Sequence, residues 1–411
     1  MFLMLLLITF TIVASSCGDD KVILKKKCEW KEVISENGDI DRFVDLPIVT
    51  NNNSTVVAGK KENKKYLYSI NATNGKKNWE WSDFETDVDQ TTFKIYTDAL
   101  VNNNHHLMAL SKENVYSIDL NTGTTKWKKQ NRYGKNFSGI GNTYFMIDYA
   151  NNQTQNQFEE AIYTGDVQNS NVFYELTIPP FKRLFPANAI YRRNINQHVP
   201  FIKNQDTMLL VTYSKPASTT ISLLQPKYGI YNISKKQWLV DDIVLAEPNT
   251  YGLLYSTQIN NNKAYFTTGY KLLCYDLDTS AKLWEQEINS FFLSVPIFLN
   301  NTVIAQAFEG TIYAYDTQSG SKVWQSKNGT LNRGSTLEHH NGIIYYILGG
   351  GSTACYGIDA TNGILKLQIN CPKNEESGFD DIVRIVPQPN GKKAMLVLNT
   401  YTHAYGYEAV R

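Results

Sequence analysis

The stretch Tyr313-Ala314-Tyr315-Asp316-Thr317-Gln318-Ser319-Gly320-Ser321-Lys322-Val323-Trp324 reads as two strands joined by a tight turn. The residues before Asp316 alternate in character, which is the period of a half-buried strand. An Asp side chain at a strand end can accept hydrogen bonds from the backbone two residues on, and Gly320 supplies a positive φ. Trp324 lies in the second strand. An indole there can wedge between neighbouring sheets and bury up to ~250 Å².

This unit recurs. Clear copies run from Tyr68 through Asn71 and Gly75 to Trp79, and from Tyr116 through Asp119 and Gly123 to Trp127. Weaker ones run from Gly229 through Asn232 to Trp238, from Leu273 through Asp276 to Trp284, and from Tyr356 through Asp359 and Gly363 to Leu367. A degenerate copy joins Ile162 and Asp166 to Phe173. The spacing of roughly 40 to 50 residues is that of propeller blades, and the longer gap between Asp166 and Asn232 must contain insertions. Two further strand-like runs precede each copy, as at 293–298 and 302–306, divided by the turn signal Asn300-Asn301. Each unit is therefore a four-strand meander, A to D, with the Asp turn joining C to D. One such sheet cannot bury both faces, and stacking the sheets radially closes the core.

The two ends complete the count. Runs at 382–386, 394–398 and 403–407 supply strands A to C of a last unit, whereas Lys27-Cys28-Glu29-Trp30-Lys31 is an orphan with the look of a D strand. The expected fold is all-β: an eight-bladed propeller of four-stranded antiparallel blades over residues 27–411, closed by the N-terminal strand that carries Trp30.

Composition agrees. Aromatic residues make up 12% and favour strands, and the 42% hydrophobic fraction is ample for a packed core. Lys and Arg number 40 against 39 Asp and Glu, so no global field attracts nucleic acid. Residues 1–13 form an almost wholly apolar run too short to cross a bilayer comfortably, and Ala14-Ser15-Ser16-Cys17 follows. The expectation is a signal peptide over 1–16, a lipid on Cys17 and a tether over 17–26. No basic residue precedes the run, and Ala14 stands where Leu is usual. Gly18-Asp19-Asp20-Lys21 resembles the surface-export signals of Bacteroidetes-type lipoproteins.

The 313–324 repeat resembles that of the pyrroloquinoline-quinone-type (PQQ-like) propellers. Together with a lipoprotein signal, the chain is similar to the BamB-type outer-membrane assembly lipoproteins. That resemblance implies a non-enzymatic, monomeric scaffold in the outer membrane, periplasmic or surface-exposed, with a protein partner. Relatives that are quinoprotein dehydrogenases seat their cofactor under an adjacent Cys pair. No two Cys are adjacent here, so no cofactor is expected. A surface lipoprotein that binds a glycan or other extracellular ligand stays open as the alternative.

Candidate sites are few. There is no phosphate loop, nucleophile elbow or CxxC pair, and no metal site is expected. His105-His106 and His339-His340 read as solvated residues near A–B turns. Cys355 and Cys371 flank the Gly363 turn and are candidates for a cross-strand disulfide, with two buried free thiols as the alternative. Trp30, Trp79, Trp127, Trp238, Trp284 and Trp324 are read as repeat positions, and the repeated turn carboxylates as structural. The long excursions, at 150–160, 175–199, 214–227 and 372–381, all belong to B–C turns or D-to-A crossovers and so share one face. Loops on a rigid scaffold carry function. The candidate partner-binding residues are Phe181, Lys182, Arg183, Phe185, Tyr191, Arg192 and Arg193, a mixture of aromatic and Arg anchors.

Overall fold

In each repeat the C strand ends on a carboxylate or amide that ties down the turn, as the spacing predicts. The computed structural model describes residues 24–35, 48–49, 53–62, 64–86, 100–101, 105–111, 114–130, 135–149, 160–169, 172–177, 195–216, 224–247, 256–292, 294–329, 335–348, 354–375, 377–380 and 382–410. Asp316 accepts from the N–H groups of Gln318 and Ser319 at 3.0 and 2.7 Å, and Gly320 N–H closes the turn onto the Asp316 carbonyl at 2.9 Å. The same side-chain bond recurs from Thr73 to Asn71, Asn121 to Asp119, Gln168 to Asp166, Lys235 to Asn232, Asp278 to Asp276 and Thr361 to Asp359. Ser319 donors hold the Asp316 carboxyl below its usual range, and those of Thr279 do so for Asp276.

The described strands assemble into eight four-stranded antiparallel sheets, blades 1 to 8, whose C strands are Lys64–Asn71, Asn114–Asp119, Glu160–Asp166, Leu224–Asn232, Lys271–Asp276, Thr311–Asp316, Ala354–Asp359 and His403–Glu408 in that order. In blade 6 these are Ile297–Leu299, Thr302–Gln306, Thr311–Asp316 and Lys322–Lys327, paired in sequence order. Strand A is shorter than the run 293–298 suggests. Every C–D pairing carries a β-bulge near the end of its C strand, for example between Ser69 and Ile70, Cys274 and Tyr275, and Ala314 and Tyr315, and blade 4 has a second one between Tyr228 and Ile230. The extra residue re-aims the D strand so that the next side chain enters the space between blades.

Blade 8 is built from both ends of the chain. Its strands Val383–Val386, Met395–Asn399 and His403–Glu408 are completed by Cys28–Val33, with Trp30 opposite Gly406. The N-terminal segment also touches both neighbours. Leu24 N–H donates to the Lys366 carbonyl of blade 7 at 3.0 Å, and Lys60 of blade 1 donates to the Ile34 carbonyl at 3.0 Å. One continuous segment thus stitches blades 7, 8 and 1.

The indoles make one contact around the ring. Trp30, Trp79, Trp127, Trp284 and Trp324 donate N–H to the carbonyls of Ala72, Leu120, Val167, Thr317 and Ala360, at 2.7 to 3.3 Å. Each acceptor is the residue after the turn carboxylate or amide of the following blade. Gly75, Gly123, Gly320 and Gly363 sit under Trp30, Trp79, Trp284 and Trp324, where a Cβ would come within 2.9 Å of the ring. These turn glycines serve both the positive φ and the indole above them.

Three sequence-level assignments need correction. Trp238 is opposite Tyr231, two residues before the bulged register position, which Val240 occupies opposite Ile230. Trp238 instead stacks edge-on against Tyr231 at 5.2 Å. In the indole's absence Lys203 donates to the Leu277 carbonyl at 3.2 Å. In blade 3 Tyr174, not Phe173, takes the register position opposite Thr164, because Phe173 is the bulged residue. The Cys355–Cys371 disulfide is not formed, and both are free thiols. Cys355 pairs with Ile369, so Cys371 lies two residues beyond its cross-strand neighbour.

Candidate functional site

The B–C turns and D-to-A crossovers share one face, and on blades 5 and 6 that face is built of aromatic residues. Thr268 and Lys271 flank the blade 5 turn, where Gly269 takes φ 52° and turns Tyr270 outward. The blade 6 turn closes where Ala307 N–H donates to the Thr311 carbonyl at 2.8 Å, with Gly310 at φ 84°. The crossover from blade 5 to blade 6 is stitched to both. Ile288 N–H donates to Tyr270, Phe292 N–H to Gly269 and Phe308 N–H to the Phe291 carbonyl, at 2.9, 3.0 and 2.7 Å.

This backbone lattice sends neighbouring rings opposite ways. Phe292 is fully buried and meets Tyr313 edge-on at 6.3 Å. Phe291 faces Tyr270 with ring centroids 4.4 Å apart. Tyr270, Val295 and Phe308 stay 47%, 48% and 43% exposed. Clustered apolar side chains on a fixed backbone are the features of a contact surface, not of a solvated turn. The rim is charged. Lys271 bridges Glu285 at 3.0 Å and Glu287 at 3.7 Å, and the Glu285 contact raises the Lys271 pKa. Tyr313 donates to Glu309 at 3.1 Å.

Cys17 and the seven residues Phe181, Lys182, Arg183, Phe185, Tyr191, Arg192 and Arg193 lie outside the described residues. The strands flanking the second group, Val172–Thr177 and Ile195–Lys203, are the D strand of blade 3 and the A strand of blade 4. Their connection is a D-to-A crossover, as at Phe291. The aromatic patch on blades 5 and 6 was missed because residues 293–298 read as one A strand. The signal was present in Tyr270 and Phe308, aromatic residues beside turn glycines where polar ones are usual.

The histidines do not converge on a ligand. His105 is exposed, but His106 opens the B strand of blade 2 and is buried, with Nδ1 3.3 Å from Ser117 Oγ. His339 and His340 form the end of the strand Glu338–His340, and Gly342 N–H donates to His339 Nε2 at 3.1 Å. Burial lowers the pKa of both. His198, fully buried edge-on to Phe145, is lowered by burial to about 4. Among the described residues no group of three or more His, Cys, Asp or Glu could hold a metal ion.

A family sequence model described as "Outer membrane protein assembly factor BamB" matches residues 244–399. No curated protein matches the sequence. Among solved structures, BamB from Moraxella catarrhalis has a TM-score of 0.57 at 11% identity, over 93% of this chain and 100% of that one. Sqt1 from Saccharomyces cerevisiae has a TM-score of 0.61 at 11% identity, over 95% and 99%. The computationally designed Ika8 protein has a TM-score of 0.56 at 10% identity, over 94% and 99%. At these identities the structural likeness establishes the propeller fold alone. The repeats within residues 244–399 match the BamB family model, and the whole chain is a propeller similar in fold to BamB.

Proposed function

We propose that this protein is a non-enzymatic scaffold of the cell envelope, similar in role to BamB, anchored by a lipid on Cys17. Its protein partner docks on the face of the B–C turns and D-to-A crossovers. The observation that carries this reading is the rigid, outward-facing patch of Tyr270, Phe291, Val295 and Phe308. Aromatic anchors inside a charged rim are the usual core of a protein interface. The segment with Arg183, Arg192 and Arg193 joins the same face in this reading.

The test is crosslinking and pull-down from native membranes with three proteins: wild type, Tyr270→Ser/Phe308→Ser, and Arg183→Glu/Arg192→Glu/Arg193→Glu. Loss of an outer-membrane partner in either variant, with an unchanged melting temperature, supports the face. Undiminished recovery in both removes it. A melting temperature raised by a sugar, with no protein captured, would favour the glycan alternative. Mass spectrometry of the mature N-terminus decides the anchor, since unmodified Cys17 or cleavage elsewhere excludes it.

A further inference from the structure

The N-terminal segment reaches the propeller beside a concentration of lysines. Leu24 is seated on the outer strand of blade 7, with its N–H on the Lys366 carbonyl. Lys25 and Lys27 follow and are exposed. Lys26 is turned inward, its ammonium donating to the Ala409 carbonyl at 3.4 Å at the end of blade 8. That carbonyl adjoins the A–B turn of blade 8, because Ala409 N–H donates to Ala394 at 2.8 Å. The turn carries exposed Lys392, and Lys393 pairs with Glu408. Lys366 is 3.9 Å from Asp359 and keeps 43% of its side chain exposed. Of the nearby acids, Glu408 and Asp359 are engaged by lysines, and Glu29 is exposed. Two apolar side chains stand among these charges, Leu24 at 41% and Ile364 at 42% exposure.

We propose that this corner of blades 7 and 8 is a membrane-contact surface that rests on the anionic headgroups of the bilayer holding the anchor. The proposal deepens the anchored-scaffold reading. Six residues lie between Cys17 and Leu24, and the seven steps from one to the other span at most about 25 Å. A lipid on Cys17 therefore keeps this corner close to the headgroups. Lysines beside protruding apolar side chains match an anionic interface, where each basic residue strengthens attraction about fivefold. The corner lies on the A–B and C–D side of the ring. Seating it on the bilayer turns the opposite face, with Tyr270 and Phe308, away from the lipid and toward a partner.

The experiment is lysine acetylation footprinting of the full-length protein. It is reconstituted in vesicles of phosphatidylglycerol and phosphatidylethanolamine, in phosphatidylcholine vesicles and in detergent micelles, and rates are read by peptide mass spectrometry. Lys25, Lys27 and Lys392 should react about fivefold more slowly on the anionic vesicles than in micelles. Lys64 and Lys373, on the opposite face, should not change. High salt or phosphatidylcholine should abolish the protection. Equal rates for Lys25, Lys27 and Lys392 on anionic vesicles and in micelles would overturn the proposal. The same digest reports the mass on Cys17. Protection with unmodified Cys17 keeps the surface and rejects the anchor, and a lipid on Cys17 without protection does the reverse.

Discussion

Trp30 donates its indole N–H to the carbonyl of Ala72 at 2.7 Å, across the seam where the two ends of the chain meet. Four other indoles make the same bond between blades that are consecutive in sequence. The seam between blades 8 and 1 is therefore joined by the same device as four of the other interfaces. Trp30 is also enclosed from two sides, since a Cβ at Gly406 would lie 2.1 Å from its ring and one at Gly75 would lie 2.8 Å away.

Trp30→Ala should accordingly open the ring. Removing a buried aromatic side chain costs about 3–5 kcal/mol, and here a buried carbonyl also loses its donor. Trp238→Ala should cost clearly less, because Trp238 makes no such inter-blade bond and stays partly exposed on Tyr231. Denaturant unfolding of both variants checks the order. Equal losses would show that the register position does not matter.

A second tie between the two ends of the chain is electrostatic and lies within blade 8. Glu375, in the crossover from blade 7 to blade 8, has a side chain only 3% exposed. It accepts from Thr400 and Thr402 at 2.7 and 2.6 Å and from the Tyr405 hydroxyl, with His403 at 2.9 Å and Lys31 at 3.4 Å. Burial alone would raise its pKa, but the hydroxyl donors and His403 outweigh burial and hold it at about 2. A folded-state pKa below the unfolded value of about 4.3 gives stability that is full above that value and is lost as pH falls toward 2. Glu375→Gln should remove of order 1–3 kcal/mol at neutral pH and flatten the acid limb between about pH 4 and 2. Unfolding midpoints measured across that range test it, and an unchanged acid limb would reject the role.

The eight-bladed plan was legible because one physical unit repeats: alternation, a turn carboxylate or amide, a glycine and an indole. The inter-blade register was less so. A bulge after each turn shifts the D strand by one residue, and sequence spacing alone cannot separate Trp238 from Val240 or Phe173 from Tyr174. The aromatic surface of blades 5 and 6 was hidden for a related reason. Phe291 and Phe292 are adjacent, yet one faces solvent with Tyr270 and the other fills the core beside Tyr313. Only the hydrogen bonds that fix the crossover decide which ring goes where.

Cys355 and Cys371 should remain thiols. Cys355 is fully buried, and burial pushes its pKa well above the usual thiol range, while Cys371 is pushed up to about 12. The thiolate is the reactive form, so both should resist alkylation. Non-reducing peptide mapping should recover 355 and 371 unlinked, and Cys355 should alkylate only at the rate of unfolding. A Cys355–Cys371 crosslinked peptide, or fast labelling of native Cys355, would contradict this.

The contact of the N-terminal segment with blade 1 depends on one glycine. A Cβ at Gly59 would lie 1.9 Å from the Ile34 carbonyl oxygen and 2.5 Å from the Tyr68 ring. That carbonyl accepts the Lys60 N–H at 3.0 Å, so the alanine methyl would occupy the place of the segment itself. Gly59 has no left-handed φ, so an alanine meets no backbone strain and the cost is steric. Gly59→Ala should therefore detach residues 34–35 from blade 1 while leaving Trp30 on Ala72. Hydrogen exchange should accelerate at the Lys60 amide, and the amide of Glu32, which faces the neighbouring strand of blade 8, should stay protected. Acceleration along all of Cys28–Val33 would mean that the two contacts form one cooperative latch, and an unchanged Lys60 amide would mean that blade 1 yields instead of the segment.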